Sequence, residues 1–199
     1  KETLIIVDSL AKYYAVNLKT GKLIWSKTNS APFNSQIKVY KDVFFVTDYE
    51  NVLRCFSIKN GDEIWRVDTE STFIKSQKKL SLVLVEDKII FNNSIGDISA
   101  VNVNTGDMIW QTPTQDSSIY ENSFLLQTSD LVAYKNSILM SNNKNEFFSI
   151  SVDTGTIDWQ NKINSNVRPS VIDNLVFTVT IEGFLVVIDN DTGNIIRIT

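Results

Sequence analysis

The chain has 199 residues, of which 43% are apolar and 11% aromatic, and it carries a formal charge of −4. This composition supplies ample material for a buried core, and the negative charge argues against a nucleic-acid-binding protein. There is no histidine, which removes the commonest general base and metal ligand, and the single cysteine, Cys55, excludes an internal disulfide and a thiolate zinc site. No apolar run reaches the ~20 residues of a transmembrane helix, so none is predicted.

A nine-residue sequence recurs along the chain. Its first copy is Asn-Leu-Lys-Thr-Gly-Lys-Leu-Ile-Trp at 17–25, and further copies occupy 57–65, 102–110, 151–159 and 189–197. The fifth copy ends in arginine instead of tryptophan. The turn glycines are 40, 45, 49 and 38 residues apart, intervals that are typical of propellers and other repeat arrays.

Within each unit the elements follow a fixed order. A short first strand is predicted at 36–39, 83–85 and 170–172, and alternating β-branched and aromatic residues predict the second strand, as at 43–47 and 175–179. Ten residues before each turn glycine, a position held mostly by Asn or Gly predicts a tight turn into the third strand. The nine-residue motif then closes the turn into a fourth strand that carries the tryptophan.

Four antiparallel strands per unit of this length form a propeller blade, so the predicted fold is an all-β propeller. The chain enters at the second strand of one blade and ends in the fourth strand of another. About four and three-quarter blades are expected, as an arc of an eight-bladed ring. The expected blades cover 1–27, 28–67, 68–112, 113–161 and 162–199 within a single domain, and the chain is expected to be a piece of a longer protein.

The motif residues are predicted to serve packing between blades. The turn glycine supplies a left-handed backbone conformation, and Asn17 and its equivalents are expected to accept hydrogen bonds from the same turn. The tryptophan offers a flat apolar face to the neighbouring blade. The predicted blade-docking residues are Trp25, Trp65, Trp110, Trp159, Gly21, Gly61, Gly106, Gly155 and Gly193.

The copies at 15–25 and 100–110, Ala-Val-Asn-Leu-Lys-Thr-Gly-Lys-Leu-Ile-Trp and Ala-Val-Asn-Val-Asn-Thr-Gly-Asp-Met-Ile-Trp, resemble the quinoprotein-type propeller repeat. The resemblance spans the whole chain. It implies tryptophans that dock onto the next blade, usually in a ring of eight. The family includes quinone-dependent dehydrogenases and non-catalytic scaffolds, among them the lipoprotein of the outer-membrane β-barrel assembly machine.

A dehydrogenase of this family requires pyrroloquinoline quinone, a bound metal and an aspartate base, and often adds adjacent cysteines and a tryptophan below the cofactor. Here every tryptophan belongs to the repeat, and Cys55 stands alone in a small-residue position. No catalytic, cofactor-binding or metal-binding residue is therefore predicted. A fragment of such a dehydrogenase remains the alternative, and a polymer- or sugar-binding propeller is a third.

Length variation points to a candidate interface. The connection from each tryptophan to the next Asn/Gly turn takes 26, 31, 35 and 24 residues, so the two long connections follow Trp65 and Trp110. Apolar residues in such loops suggest a contact surface on the face opposite the Thr-Gly turns. The candidate partner-binding residues are Phe73, Ile74, Lys75, Ile119, Tyr120 and Phe124. The alternative is that 124–126 lead into the next strand as core.

These features favour a non-catalytic protein-binding scaffold of the bacterial envelope, similar to the barrel-assembly lipoprotein. The expected partners are proteins of outer-membrane assembly, and the expected location is the periplasm, with a lipid anchor supplied by a segment upstream of this sequence. Open blade edges would also favour self-association.

Overall fold

The structure, a computed structural model, describes residues 2–70, 78–114 and 126–199. Within these ranges it contains strands and no helix, and the strands form five antiparallel sheets that follow one another along the chain. The predicted all-β propeller with four-stranded blades is confirmed. No described helix is long and apolar enough to cross a membrane.

The first sheet has three strands and each later sheet has four, paired in chain order. The first sheet comprises β1 (Thr3–Val7), β2 (Lys12–Asn17) and β3 (Leu23–Thr28). The second comprises β4 (Lys38–Tyr40), β5 (Val43–Thr47), β6 (Val52–Ser57) and β7 (Glu63–Asp68). The third comprises β8 (Leu82–Val85), β9 (Lys88–Asn92), β10 (Ile98–Asn102) and β11 (Met108–Thr112). The fourth comprises β12 (Val132–Tyr134), β13 (Ser137–Asn142), β14 (Glu146–Ser151) and β15 (Ile157–Asn161). The fifth comprises β16 (Ser170–Ile172), β17 (Leu175–Val179), β18 (Leu185–Asp189) and β19 (Ile195–Ile198).

The first strands of the middle sheets lie side by side. Strand β8 contacts both β4 and β12, so these short strands converge on a common axis while the strands that carry tryptophan lie outside. The first strand of the second sheet begins at Lys38, two residues later than the sequence pattern indicates.

The apolar core lies between consecutive sheets. We call each boundary a seam, so that the first seam separates the first and second sheets and the fourth separates the fourth and fifth. In the second seam, Phe45 and Cys55 of the second sheet pack with Leu82, Ile89 and Phe91 of the third, all almost fully buried. Because each sheet covers its neighbour, burial of apolar surface holds the repeats together pairwise.

Every outermost strand contains a bulge at the same repeat position. The pairing register shifts between Ala15 and Val16 in the first sheet and at the equivalent pair in the other four. The residue directly before the tryptophan position therefore has no pairing partner on the neighbouring strand. These residues are Ile24, Ile64, Ile109, Asp158 and Ile196. A bulge twists an edge strand and disrupts its ladder, which disfavours pairing with another chain.

Candidate protein-binding face and the seams beneath it

The Thr-Gly turns close one end of every sheet, which we call the Thr-Gly side. Asn17 Oδ1 accepts hydrogen bonds from the amides of Lys19 (3.0 Å) and Thr20 (2.9 Å), as the sequence predicts. Asp189 Oδ1 accepts from Asp191 (3.1 Å) and Thr192 (2.9 Å) in the same way. The turn is thus stabilised locally by its own first residue.

The opposite end, which we call the loop face, carries the Asn/Gly turns and the connections between sheets. Ala11, Asn51 and Asn145 have φ values of 65°, 63° and 64°, so the predicted left-handed turn is confirmed even where the residue is not glycine. These turns are braced by a side chain thirteen residues before the turn glycine. In the second sheet this is Asp48, whose Oδ1 accepts from the amides of Glu50 (2.9 Å) and Val52 (3.1 Å).

Sequence reasoning missed this bracing residue. The equivalent side chains are Asp8, Asn93, Asn142 and Thr180, and each accepts a hydrogen bond from an amide of its own turn. The detectable signal is a short oxygen-bearing side chain at one fixed offset from the turn glycine. Because its identity changes from copy to copy, it is less visible than the tryptophan.

A buried ion-pair network lies beneath the loop face in the second sheet. Arg54 Nε donates to Asp48 Oδ2 at 2.8 Å, Nη1 donates to Glu63 Oε2 at 2.6 Å, and Nη2 donates to Ser30 Oγ at 3.2 Å. Arg54 and Asp48 are buried, with exposures of 4% and 0%. The network fastens the connection from the first sheet to the second.

Charged side chains also meet near the axis. Gln36 Nε2 donates to Asp130 Oδ2 at 3.2 Å, and Lys78 Nζ donates to the carbonyl of Asn166 at 3.0 Å. Burial lowers the pKa of Lys38, and the charge of Arg168 lowers it further, while Asp130 opposes both effects. Burial likewise lowers the pKa of Lys78. The charge of Asp130 thus acts on both lysines.

The predicted partner-binding residues lie outside the described residues. Phe73, Ile74 and Lys75 belong to 71–77, and Ile119, Tyr120 and Phe124 belong to 115–125. Leu126, which directly follows the second of these segments, is described and is only 3% exposed. The end of that connection therefore enters the core.

The structure places each predicted docking tryptophan against the turn glycine of the next sheet. A Cβ added at Gly61 would lie 2.8 Å from Trp25 Cζ3, and one added at Gly155 would lie 2.6 Å from Trp110 Cδ2. Trp65 packs against Gly106, and Trp159 packs against Gly193, at similarly short distances. Glycine is thus required at these positions both for its positive φ and for the close approach of an indole ring. In the fifth copy, Arg197 is exposed, and its Nε donates to Thr199 Oγ1 at 2.9 Å.

The described residues do not fit a quinone site of the dehydrogenase type. All four tryptophans lie at seams, and Cys55 is buried in the second seam, where burial raises its thiol pKa to about 12. Among the residues that the structure describes, no group of three or more Cys, Asp or Glu side chains is placed to hold a metal ion.

Five consecutive antiparallel sheets, joined at seams by a tryptophan and a turn glycine, define a β-propeller protein of the quinoprotein-repeat class. The family model described as outer membrane protein assembly factor BamB matches residues 1–199, and the chain belongs to this family. A curated relative, the outer membrane protein assembly factor BamB of Shewanella oneidensis, is 29% identical over 104 residues. That match covers 51% of this chain and 25% of the relative.

Solved structures share the fold. BamB from Moraxella catarrhalis superposes with a TM-score of 0.80 at 14% identity, over 100% of this chain and 61% of that one. A europium-containing methanol dehydrogenase superposes with a TM-score of 0.78 at 14% identity, over 100% of this chain and 49% of the enzyme. This chain therefore spans a quarter of the curated relative and about half to three-fifths of the two structures. At these identities the likeness concerns the fold alone.

Proposed function

We propose that the chain is part of a non-catalytic, protein-binding scaffold of the bacterial cell envelope that acts in outer-membrane protein assembly. The observation that carries this proposal is the family match over residues 1–199, to a family described as an outer membrane protein assembly factor. The proposed location is the periplasm, with attachment to the outer membrane through a lipid anchor outside this sequence.

The proposed docking surface is the loop face. The recurring motif of each copy is used in seams and turns, so the repeat itself supplies packing rather than chemistry. The variable connections at 71–77 and 115–125 supply the residues that differ between copies. Lys38, Lys78 and Arg168 add positive charge near the axis of a chain with a net negative charge, which favours a partner segment that carries acidic residues.

The test uses charged substitutions in the two long connections. Phe73→Asp and Tyr120→Asp should each weaken capture of purified components of the barrel-assembly machine at least tenfold, because a buried charge at an interface core is costly. The melting temperature should not change. The matched control is Leu18→Asp on the Thr-Gly side, since Leu18 is 63% exposed and should tolerate the charge without loss of capture.

Two outcomes would contradict this proposal. Unchanged capture by both loop variants would remove the loop face as the docking surface. A parallel fall in capture and melting temperature would show that Phe73 and Tyr120 are core residues instead. Separately, dye-linked alcohol oxidation by the full-length protein with pyrroloquinoline quinone and calcium would overturn the non-catalytic assignment.

A further inference from the structure

The second seam lacks a polar tie that the other three seams share. In three seams, the residue six positions after the turn glycine bonds to the next sheet. Lys27 forms an ion pair with Asp62 across the first seam. Thr112 Oγ1 donates to the carbonyl of Gly155 across the third, and Asn161 Nδ2 donates to the carbonyl of Gly193 across the fourth. The equivalent residue in the second seam is Val67, which packs with the apolar core.

The indole hydrogen bond is missing from the same seam. Nε1 of Trp25 donates to the carbonyl of Ile58 at 3.0 Å, and the equivalent bonds of Trp110 and Trp159 measure 2.9 Å and 2.7 Å. The equivalent acceptor for Trp65 is the carbonyl of Val103. Trp65 Nε1 is nevertheless buried without a hydrogen-bond partner among the described residues. A buried donor without an acceptor destabilises the closed state.

The Thr-Gly side of this seam is also incompletely packed. A cavity of about 260 Å³ lies there, lined by Val43, Cys55, Trp65 and Val103 among others. In the third seam, the residues equivalent to Val43 and Asn104 are Lys88 and Asp153, whose Nζ and Oδ1 atoms are 3.5 Å apart and bridge the two sheets. Val43 and Asn104 carry no charge, so this pair of positions forms no ion pair across the cavity.

The opposite edge of the second seam is firmly tied. Asn51 Nδ2 donates to Ser94 Oγ at 2.8 Å, and the amide of Ser94 donates to Asn51 Oδ1 at 3.2 Å. Closer to the axis, the amide of Leu80 donates to the carbonyl of Asn34 at 2.7 Å, and the amide of Gln36 donates to the carbonyl of Leu80 at 3.2 Å. All of these ties lie toward the loop face.

We propose that the second seam is a hinge, which opens on the Thr-Gly side and pivots on the hydrogen bonds at the loop face. Opening exposes Trp65 Nε1 to water and enlarges the cavity into a slot between the second and third sheets. It also changes the angle between the sheets that flank the connection at 71–77. A repeat protein that bends at one seam can adjust its loop face to a partner without unfolding a sheet.

Cys55 provides a native reporter of this motion. It is the single cysteine of the sequence, it is 1% exposed, and it lies in the wall of the cavity. The thiol should react with a disulfide reagent at pH 8 only when the seam opens, because burial suppresses the thiolate in the closed state. At low denaturant concentrations, the rate of Cys55 labelling should rise with denaturant much less steeply than the unfolded fraction does. The unfolded fraction is measured by circular dichroism. Amides of the β6–β7 ladder will stay protected during labelling, since the sheets part as units.

Repair variants test the cause. Val67→Thr introduces the side chain that the third seam has at the equivalent position, Thr112. The added hydrogen bond across the second seam should slow labelling of Cys55 in low denaturant by about threefold to tenfold. Val43→Lys combined with Asn104→Asp transplants the charged pair of the third seam and should also slow it. The matched control, Thr112→Val, removes the equivalent tie from the third seam and should lower global stability while leaving low-denaturant labelling unchanged.

The hinge is overturned if Cys55 labels only in step with global unfolding. It is also overturned if both repair variants fold, as judged by circular dichroism, and label at the wild-type rate. Neither result depends on partner binding, so the hinge and the proposed scaffold function can fail independently.

Discussion

At the scale of single residues, the turn glycine meets two independent demands. Its backbone adopts a φ of 67° to 78° in all five copies, and in four copies an indole ring occupies the space that a side chain would need. Gly21 meets only the first demand, since a Cβ there would have no described atom within 4 Å. The chain therefore contains its own control for separating backbone strain from packing.

Replacing Gly155 by alanine should destabilise the protein by about 2–4 kcal/mol, because a left-handed alanine is strained and its Cβ would lie 2.6 Å from Trp110. Gly21→Ala should cost only the backbone strain, about 1–2 kcal/mol. Chemical denaturation of the two variants measures the difference. Equal losses would show that contact with the indole contributes nothing.

Asp97 should make stability depend on pH. Burial raises the pKa of this carboxyl, the hydrogen bond that Gln111 Nε2 donates to Asp97 Oδ2 opposes the rise, and nearby Glu70 raises the pKa further. Since the folded pKa lies above the unfolded one, the folded state binds the proton more tightly. Stability therefore falls as the pH rises through the folded pKa. Asp97→Asn should melt at a higher temperature than the wild type at pH 7, with the difference shrinking toward pH 4. A constant difference across this range would assign the effect to packing.

At the scale of the elements, the second sheet is distinguished by the ion-pair network of Asp48, Arg54 and Glu63. Asp48 accepts hydrogen bonds from its own turn with one carboxylate oxygen and binds Arg54 with the other. This one carboxylate therefore links the turn to the strand that carries Arg54, and through Arg54 to the incoming connection. Asp48 is fully buried, whereas the side chain of Glu63 is 34% exposed. The buried charge of Asp48 therefore depends on Arg54 for its stabilisation, whereas water can also stabilise the charge of Glu63.

Arg54→Met should therefore destabilise the protein by about 3–5 kcal/mol, because it leaves the Asp48 carboxylate buried without its counter-ion. Adding Asp48→Asn should recover much of the loss, since an amide oxygen can still brace the turn. Arg66→Met is the control: Arg66 and Asp68 are exposed and 3.9 Å apart, so the change should be within about 0.5 kcal/mol. Urea denaturation checks all three. An equal loss in the single and double variants would argue against charge burial as the cause.

Local chemistry explains which elements were predictable from the sequence. The Thr-Gly turn and the tryptophan recur in identity because backbone sterics and close packing accept few alternatives. The bulge at Ile24 has no signature, because an isoleucine there fits a regular strand equally well. The turn into β5 contains Lys41 at a φ of 52°, with no glycine to mark it. The candidate interface was visible only as variation in the length of connections, since contacts across a seam depend on residues about forty positions apart.

At the scale of the whole molecule, stability should behave as a sum of sheets and seams, because each sheet contacts only its neighbours along most of its length. The four seams are built from the same motif, yet their polar ties differ. Trp110 is 8% exposed and its Nε1 donates to the carbonyl of Val152, whereas Trp65 is half-buried and its Nε1 has no partner in the part of the chain that the structure describes. The same side chain should therefore contribute differently to different seams.

Trp110→Phe should destabilise the protein by about 1–3 kcal/mol more than Trp65→Phe. Trp110 is the more buried of the two, so its replacement removes more buried apolar area, and it also breaks the indole hydrogen bond to the Val152 carbonyl. Trp65→Phe removes a donor that has no acceptor among the described residues. Chemical denaturation followed by far-ultraviolet circular dichroism measures both without relying on tryptophan fluorescence. A larger loss for Trp65→Phe would mean that Trp65 Nε1 finds an acceptor in solution, and the second seam would then be as tightly fastened as the third.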